Sequence, residues 1–280
     1  LDKIVPQTTP VILVDSSDIP FKSFPNLNRI NLNYIHTDKR SAAIQRNIGL
    51  DNVSIETKYV FFLDDDTIPD MQYFNSLCKL LSNEKVVGVS GLAINPNSKV
   101  LREKPAGFRG LIYKMFLLDS NRDGALLKSA VNIPCRNYGG EVKEVEWLIG
   151  CSGWNFARIQ NTRFESDFMG ASLAEDVIFS FRMSKKGKLL VDPKINLDHL
   201  EFAGGRPNLS DFWKMWMVNR YRLIQVSNWG LVGIVGFWWA SLGQLLINAF
   251  SDLKSGEINF PTAKGILLGV IQIGFLKNEN

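Results

Sequence analysis

Residues Val11-Ile12-Leu13-Val14 form a short apolar run that stops at Asp15-Ser16-Ser17-Asp18. The pattern predicts a buried strand followed by a polar turn. Tyr59 to Leu63 repeats it and ends in Asp64-Asp65-Asp66, and Val86 to Val89 is a third such run. Later stretches, Val145 to Gly150 and Leu189 to Val191, read as further strands. Helical spacing lies between them. Met71, Phe74, Leu77, Cys78 and Leu81 recur on one face after Pro69, a favoured first helical residue. Thr37 is placed to cap a helix through Ala43, Ile44 and Ile48 to Gly49. Ser172-Leu173-Ala174-Glu175 reads as a capping box, with Ala174, Val177, Ile178 and Phe181 as the buried stripe and Lys185-Lys186-Gly187 as the close. Continuous apolar strands alternating with helices predict an α/β domain with a largely parallel sheet, in which ligands sit at the carboxyl ends of the strands. Asp15 and the Asp64–Asp66 cluster fall at such ends. From residue 94 to about residue 146 the chain is polar, Gly- and Pro-dotted and weakly periodic, which predicts a binding loop or lid.

The last third changes character, so the domains expected are a catalytic domain over 1–208 and a helical apolar region over 209–280. Phe212, Trp213, Trp216 and Met217 mingle with Lys214, Arg220 and Arg222, and no charge interrupts residues 223 to 251. That run is long enough to cross a bilayer, which takes about 20 apolar residues. Ser241, Gln244 and Asn248 nevertheless share one helical face, which suits an amphipathic helix lying in the membrane interface. A spanning helix and a helix packed on the catalytic domain remain the alternatives. A second apolar stretch, residues 265 to 276, closes the chain.

Composition narrows the chemistry. The 280 residues suffice for one large domain with an appendage, and 21% charged residues is ordinary for a globular chain. A net charge of +4 is too mild to argue for nucleic acid and suits an anionic donor or an anionic lipid surface. Cys78, Cys135 and Cys151 stand far apart, which speaks against a disulfide framework or a structural zinc site and for a reducing compartment. With two histidines, His36 and His199, any metal centre must rest on carboxylates and favours Mg²⁺ or Mn²⁺.

Three adjacent carboxylates after a buried strand repel one another, and a divalent cation relieves the conflict. A solvated acidic turn is the plain alternative; the position after Phe61-Phe62-Leu63 favours the metal, with Asp64 and Asp66 as a D-x-D pair. Asp15 alone reads as a turn cap. On the same sheet edge as the acidic cluster it would accept a hydrogen bond from a base N–H. Glu175 is accounted for by the capping box, which leaves Asp176 free as a general base for an acceptor hydroxyl. His199 is either an ordinary polar residue or a third metal ligand. Arg40 and Arg46 are solvated surface residues or, aimed into the cleft, partners of a diphosphate.

These stretches, in this order, resemble the family 2 glycosyltransferases, the inverting group with the GT-A fold: Val11 to Ser17, Ser41 to Leu50 with Arg46, Phe61 to Asp66, Ile149-Gly150-Cys151-Ser152-Gly153 on to Arg158, and Glu175-Asp176 with Arg182, Gly187 and His199. The resemblance runs from about residue 10 to about residue 225. It implies a GT-A sheet flanked by helices and a transferase that moves a sugar from a nucleotide-diphosphate donor to an acceptor hydroxyl with inversion. The acceptor would be a glycan or lipid-linked glycan in cell-surface polysaccharide or glycan synthesis. Asp15 would meet the base of the nucleotide, Arg46 would lie near it, and Asp64 and Asp66 would hold the ribose-diphosphate, with Asp65 close by. Asp64, Asp66 and His199 would hold Mn²⁺ or Mg²⁺, Asp176 would be the catalytic base, and the Gly150–Gly153 turn would line the acceptor side. The implied place is the cytoplasmic face of a membrane, peripheral or C-terminally anchored. The family pattern begins with a further strand and helix ahead of the Asp15 strand. Only about ten residues precede Val11, so the catalytic domain reads as short at its N-terminus. Two other functions fit part of the pattern, a nucleotidyltransferase of similar fold and a non-catalytic, membrane-associated nucleotide-sugar-binding protein.

Overall fold

The computed structural model describes residues 9–20, 31–96, 104–136, 140–166, 173–200, 207–257 and 259–276. In chain order the elements are β1 (Val11–Asp15), β2 (Leu32–His36), α1 (Ala42–Asp51), β3 (Tyr59–Phe61), β4 (Thr67–Pro69), α2 (Tyr73–Leu81), β5 (Val86–Ile94), α3 (Gly107–Met115), β6 (Lys143–Val145), β7 (Gly153–Asn155), α4 (Phe156–Ile159), α5 (Glu175–Ser184), β8 (Lys188–His199), α6 (Leu209–Ser227), α7 (Gly230–Ser255) and α8 (Pro261–Leu276). They fall into two compact units. The first comprises Leu1–Lys99 with Asn137–Ala203, and the second Val100–Arg136 with Gly204–Asn280.

The first unit is mixed α/β, as the strand and helix alternation predicts. Its main sheet runs β3-β7-β5-β8-β4, with β6 also paired to β8, and β1 and β2 make a separate parallel pair. The largely parallel sheet expected from the apolar runs is in fact mixed. β5 and β8 are parallel, whereas β7 is antiparallel to β3 and β5, and β4 and β6 are antiparallel to β8. A continuous apolar run reports burial on both faces and carries no information about strand direction. Below the sheet, Tyr73, Leu77 and Leu81 of α2 bury against Val86, Val89 and Leu197.

Several local expectations shift for identifiable reasons. Pro69 does not begin a helix; it closes β4, whose other neighbour is absent among the described strands, and proline is tolerated in an edge strand. The turn at Asp70 then starts α2 at Tyr73, where Tyr73 N–H donates to the Asp70 carbonyl at 3.0 Å. The cap of α1 is Ser41 rather than Thr37: its hydroxyl accepts from the Ile44 N–H. The expected strand at Val145 to Gly150 is β6, shifted to Lys143–Val145, and the strand at Leu189 to Val191 is the start of the twelve-residue β8.

In the second unit, part of the stretch expected to be a loop or lid is helical, as α3. Phe116, Leu118, Ala125, Val131 and Ile133, which follow α3, form a core with Ala240 of α7. The uncharged run from residue 223 to 251 is not one helix. Asn228, in the left-handed region at φ 55°, ends α6, and α7 starts at Gly230. The whole of α7 is long and apolar enough to cross a membrane by length and composition.

Candidate functional site

The site in the first unit is assembled around Arg46. α1 presents this arginine from its middle turn, one residue after Gln45, whose amide donates to the Val14 carbonyl at 2.9 Å and so ties α1 to the end of β1. The Arg46 guanidinium donates through Nη2 to Asp64 Oδ1 at 2.6 Å and through Nη1 to Glu175 Oε1. Its side chain is only 10% exposed and that of Glu175 8%, so the pair is cut off from bulk water. Burial acts to discharge Arg46, but Glu175, Asp64 and Asp176 together overcome it and hold the guanidinium firmly charged. Burial is also the larger influence on Glu175 and Asp176. It raises the proton affinity of both, with Arg46 pulling each back.

Gly150 makes room for this arrangement. A Cβ there would stand 2.5 Å from Arg46 Nη2, so any larger residue would have to push the guanidinium aside. A Cβ on Gly153 would collide with the Phe61 ring across the β3–β7 pair. Both glycines were expected to line an acceptor; the contacts they make are with Arg46 and with the strand that carries the acidic cluster.

The three aspartates after β3 point to different partners. Asp64 meets Arg46, and its backbone carbonyl accepts from the Thr67 hydroxyl at 2.7 Å. Asp65 is exposed. Asp66 Oδ2 lies 3.2 Å from His199 Nε2. The register of β4 on β8 sets this contact by pairing Thr67 with His199, and the Leu200 N–H donates to the Asp66 carbonyl at 2.9 Å. Among the described residues no cluster of three or more metal-ligating side chains forms. Asp66 and His199 nonetheless fit a divalent ion that draws its remaining ligands from phosphate and water, since Mg²⁺ is commonly held by one or two carboxylates plus substrate oxygens and Mn²⁺ accepts carboxylate and imidazole.

Asp15 stands at the end of β1. Its Oδ2 accepts from the Tyr34 hydroxyl at 2.8 Å across the parallel pair, and Oδ1 accepts from the N–H and hydroxyl of Ser17. Arg40 pairs with Asp18, and both side chains are largely exposed.

Asp176 is the second residue of α5 and accepts from the Val177 N–H at 2.8 Å. The capping-box reading of this helix start is corrected. Ser172 lies outside the described residues, and the cap is Ala174, left-handed at φ 72°, which puts Glu175 first in the helix. Glu175 is therefore turned to Arg46, and it joins the site. Sequence reasoning missed it because capping offered a sufficient local explanation.

Two further residues were missed. Cys151 is buried, its thiol near Asp64 Oδ2 at 3.5 Å, and burial together with the Asp64 charge pushes it up to about 12, so it stays protonated. Tyr73 donates its hydroxyl to the Cys151 carbonyl at 2.8 Å and fixes the turn that carries Gly150. The Ile-Gly-Cys-Ser-Gly string was the available signal for Cys151; nothing local marks Tyr73, which reads as one more apolar helix position.

Comparison with known proteins follows this geometry. Residues 10–136 match the family described as glycosyl transferase family 2, the family that the resemblance named. Among solved structures, "Crystal structure of GalNAc-T7 with UDP, GalNAc and Mn2+" superposes with a TM-score of 0.56 at 15% identity, covering 97% of this chain and 51% of that one. The S. aureus TarS 1-349 structure gives 0.49 at 14% identity, over 91% of this chain and 67% of that one. The fold is GT-A. The chain spans about half the length of the GalNAc-T7 structure. No curated protein matches it. Glu175, Asp176 and His199 lie beyond the matched segment.

Proposed function

We propose that the first unit transfers a sugar from a nucleotide-diphosphate donor to an acceptor hydroxyl, with inversion at the anomeric carbon. The single observation that carries this reading is the Arg46 guanidinium, which joins Asp64 of the D-x-D cluster to Glu175 beside Asp176. It draws two acidic segments, far apart in sequence, to one place, and the first of them lies within residues 10–136, which match glycosyl transferase family 2.

In this reading Asp15 and Tyr34 receive the base of the nucleotide. Asp64 and Asp65 face the ribose and diphosphate, and Arg46 supplies positive charge beside the leaving group. Asp66 and His199 would hold Mn²⁺ or Mg²⁺, which when bound supplies charge stabilisation for the departing diphosphate. Asp176 accepts the proton of the acceptor hydroxyl. The hydroxyl oxygen bonds to the anomeric carbon as the bond from that carbon to the phosphate oxygen breaks, and the electron pair leaves with the nucleoside diphosphate. One displacement inverts the centre. The raised proton affinity of Asp176 suits a base that must gain a proton in the transition state. The GalNAc-T7 structure contains UDP and Mn²⁺, which supports a nucleotide-sugar donor and a divalent ion here. A glycan or lipid-linked glycan acceptor, a role in cell-surface polysaccharide synthesis and a place at the cytoplasmic face of a membrane complete the proposal.

The test is a screen of nucleoside diphosphates and nucleotide sugars for Mn²⁺-dependent rise in melting temperature, followed by transfer assays on the hits. A rise confined to Mn²⁺ with a uridine or other nucleoside diphosphate is expected. A panel in which no such ligand moves the melting point would sink the reading.

A further inference from the structure

Beside the apolar core of the second unit, α7 turns an apolar face outward and a polar stripe inward. Along α7 the residues Leu231, Val235, Trp239, Leu242, Leu246, Phe250 and Leu253 recur every three or four positions and are all exposed, from 43% for Trp239 to 75% for Leu231. The opposite stripe, Ser241, Gln244, Asn248 and Asp252, is buried at 7% or less. That stripe was expected to face headgroups; it faces inward. Gln244 donates to Asn248 at 2.7 Å, and Asp252 accepts from the Thr262 hydroxyl at the start of α8 at 2.9 Å. Arg220 of α6 is buried with them: it donates to the Ser129 carbonyl and lies over the Trp216 ring at 4.0 Å. Water rewards the opposite arrangement, because apolar side chains gain by leaving it and polar ones lose.

The apolar exposure extends beyond α7. On α3, Phe108, Leu111 and Met115 share one exposed face, and the Trp239 indole donates to the Met115 carbonyl at 2.7 Å, which makes the α3 and α7 faces continuous. Leu267, Leu268, Ile271 and Phe275 give α8 an exposed apolar row of its own. A contiguous apolar surface of this extent on a folded unit marks a membrane or a partner.

Charge and helix lengths choose between them. The second unit holds twice as many Lys and Arg as Asp and Glu, although the whole chain carries only +4. Arg109, Lys114, Lys254 and Lys264 are exposed on the same helices as the apolar rows. Apolar faces bordered by basic side chains complement an anionic lipid surface. The α6 helix argues against a crossing. α8 packs against it so closely that a Cβ on Gly269 would come within 2.5 Å of the Met217 Cβ, and α6 carries Asp211, Lys214 and Arg222 along its length. Such a helix does not enter hydrocarbon, where each charge is costly. α7 is about 39 Å long but α8 only about 24 Å, at 1.5 Å per residue.

We infer that the second unit embeds α3, α7 and α8 side-on in one leaflet of an anionic bilayer, with α6 on the aqueous side. This rests on the proposed function only in giving that function a membrane address, and it assigns to residues 107–115, expected to belong to a lid, a lipid contact.

The experiment uses the full chain and preformed vesicles of phosphatidylcholine, alone or with phosphatidylglycerol. Co-flotation is expected with the mixed vesicles and at least tenfold less with phosphatidylcholine alone. Leu246→Glu with Phe250→Glu, and separately Phe108→Glu with Leu111→Glu, are each expected to reduce flotation at least tenfold. All four positions are already exposed, so circular dichroism should be unchanged. A maleimide added outside sealed vesicles should label Glu257→Cys; protection of that thiol would show a crossing and overturn the one-leaflet arrangement. Absence of flotation, or a detergent-free dimer that the same variants dissociate, would assign the face to another copy of the chain and overturn the inference. Mn²⁺-dependent UDP binding, measured in the same samples, reads the glycosyltransferase proposal independently.

Discussion

Arg46 is the residue on which the site balances. Its positive charge is buried, and three carboxylates hold it there. Truncating it leaves Glu175 buried without a counter-charge, a change that costs about 3–5 kcal/mol in comparable buried pairs. Arg46→Ala is expected to lower the denaturation midpoint by that order, and a second change, Glu175→Gln, should restore part of it; strict additivity of the two in a double-mutant cycle would show that the pair is not coupled. Asp176 makes a different prediction. Asp176→Asn is expected to lower kcat by about 10²–10⁴, the usual worth of a general base, with donor affinity retained. Because burial raises its proton affinity, the wild-type rate should fall on the acid side at a pH above the ordinary aspartate value of about 4. The sign follows from the role: the base must be unprotonated to act, so activity rises with pH through the shifted value. An acid limb at or below pH 4 in kcat/KM would remove Asp176 from the role.

At the scale of the element, the start of α5 carries a local cost. Ala174 sits at φ 72°, where a Cβ crowds the backbone and costs about 1–2 kcal/mol. Glycine has no such penalty, so Ala174→Gly should leave the fold intact and stabilise it by about 1 kcal/mol or less after its greater unfolded-state freedom is counted. Chemical denaturation checks this; a loss of stability would mean that the Ala174 side chain makes contacts outweighing the strain. The strain is placed where it matters for the site. A left-handed residue immediately ahead of Glu175 lets the helix begin at that residue, which sends its side chain to Arg46 and sets Asp176 beside it. The short β4 does a comparable task at the other end, since its register on β8 brings Asp66 to His199.

For the molecule as a whole, a ligand that binds the folded state alone stabilises it by mass action, about 2.7 kcal/mol at a hundredfold excess over its dissociation constant. UDP with Mn²⁺ should therefore raise the melting temperature of wild type and of Asp176→Asn alike. His199→Ala should lose most of the Mn²⁺-dependent rise; an undiminished Mn²⁺ effect in that variant would place the ion elsewhere. The two units also differ in what holds them together. In the first, Tyr73, Leu77 and Leu81 bury against strands in the ordinary sense. In the second, an apolar cluster around Ala240 is joined in the interior by Gln244, Asn248, Asp252 and Arg220, while Leu231, Leu242, Leu246, Phe250 and Leu253 of α7 are exterior.

Much of this was readable along the chain because it depends on near neighbours. An apolar run that stops at an aspartate places a carboxylate at a strand end whatever the rest of the fold does, and Asp15 and Asp64–Asp66 are such cases. The part of the α2 face through Leu77 and Leu81 and the Ser241, Gln244, Asn248 stripe likewise follow from 3.6-residue periodicity, whereas Met71, expected on that face, is exposed ahead of the helix. Periodicity states which residues share a face and says nothing about what that face meets, so the stripe could be found and its direction could not. Strand direction, the register that joins Asp66 to His199, and the Arg46–Glu175 pair across 129 residues were left to the tertiary structure. They depend on which distant segments pack together, and that is settled by the summed burial of the whole core rather than by any local preference.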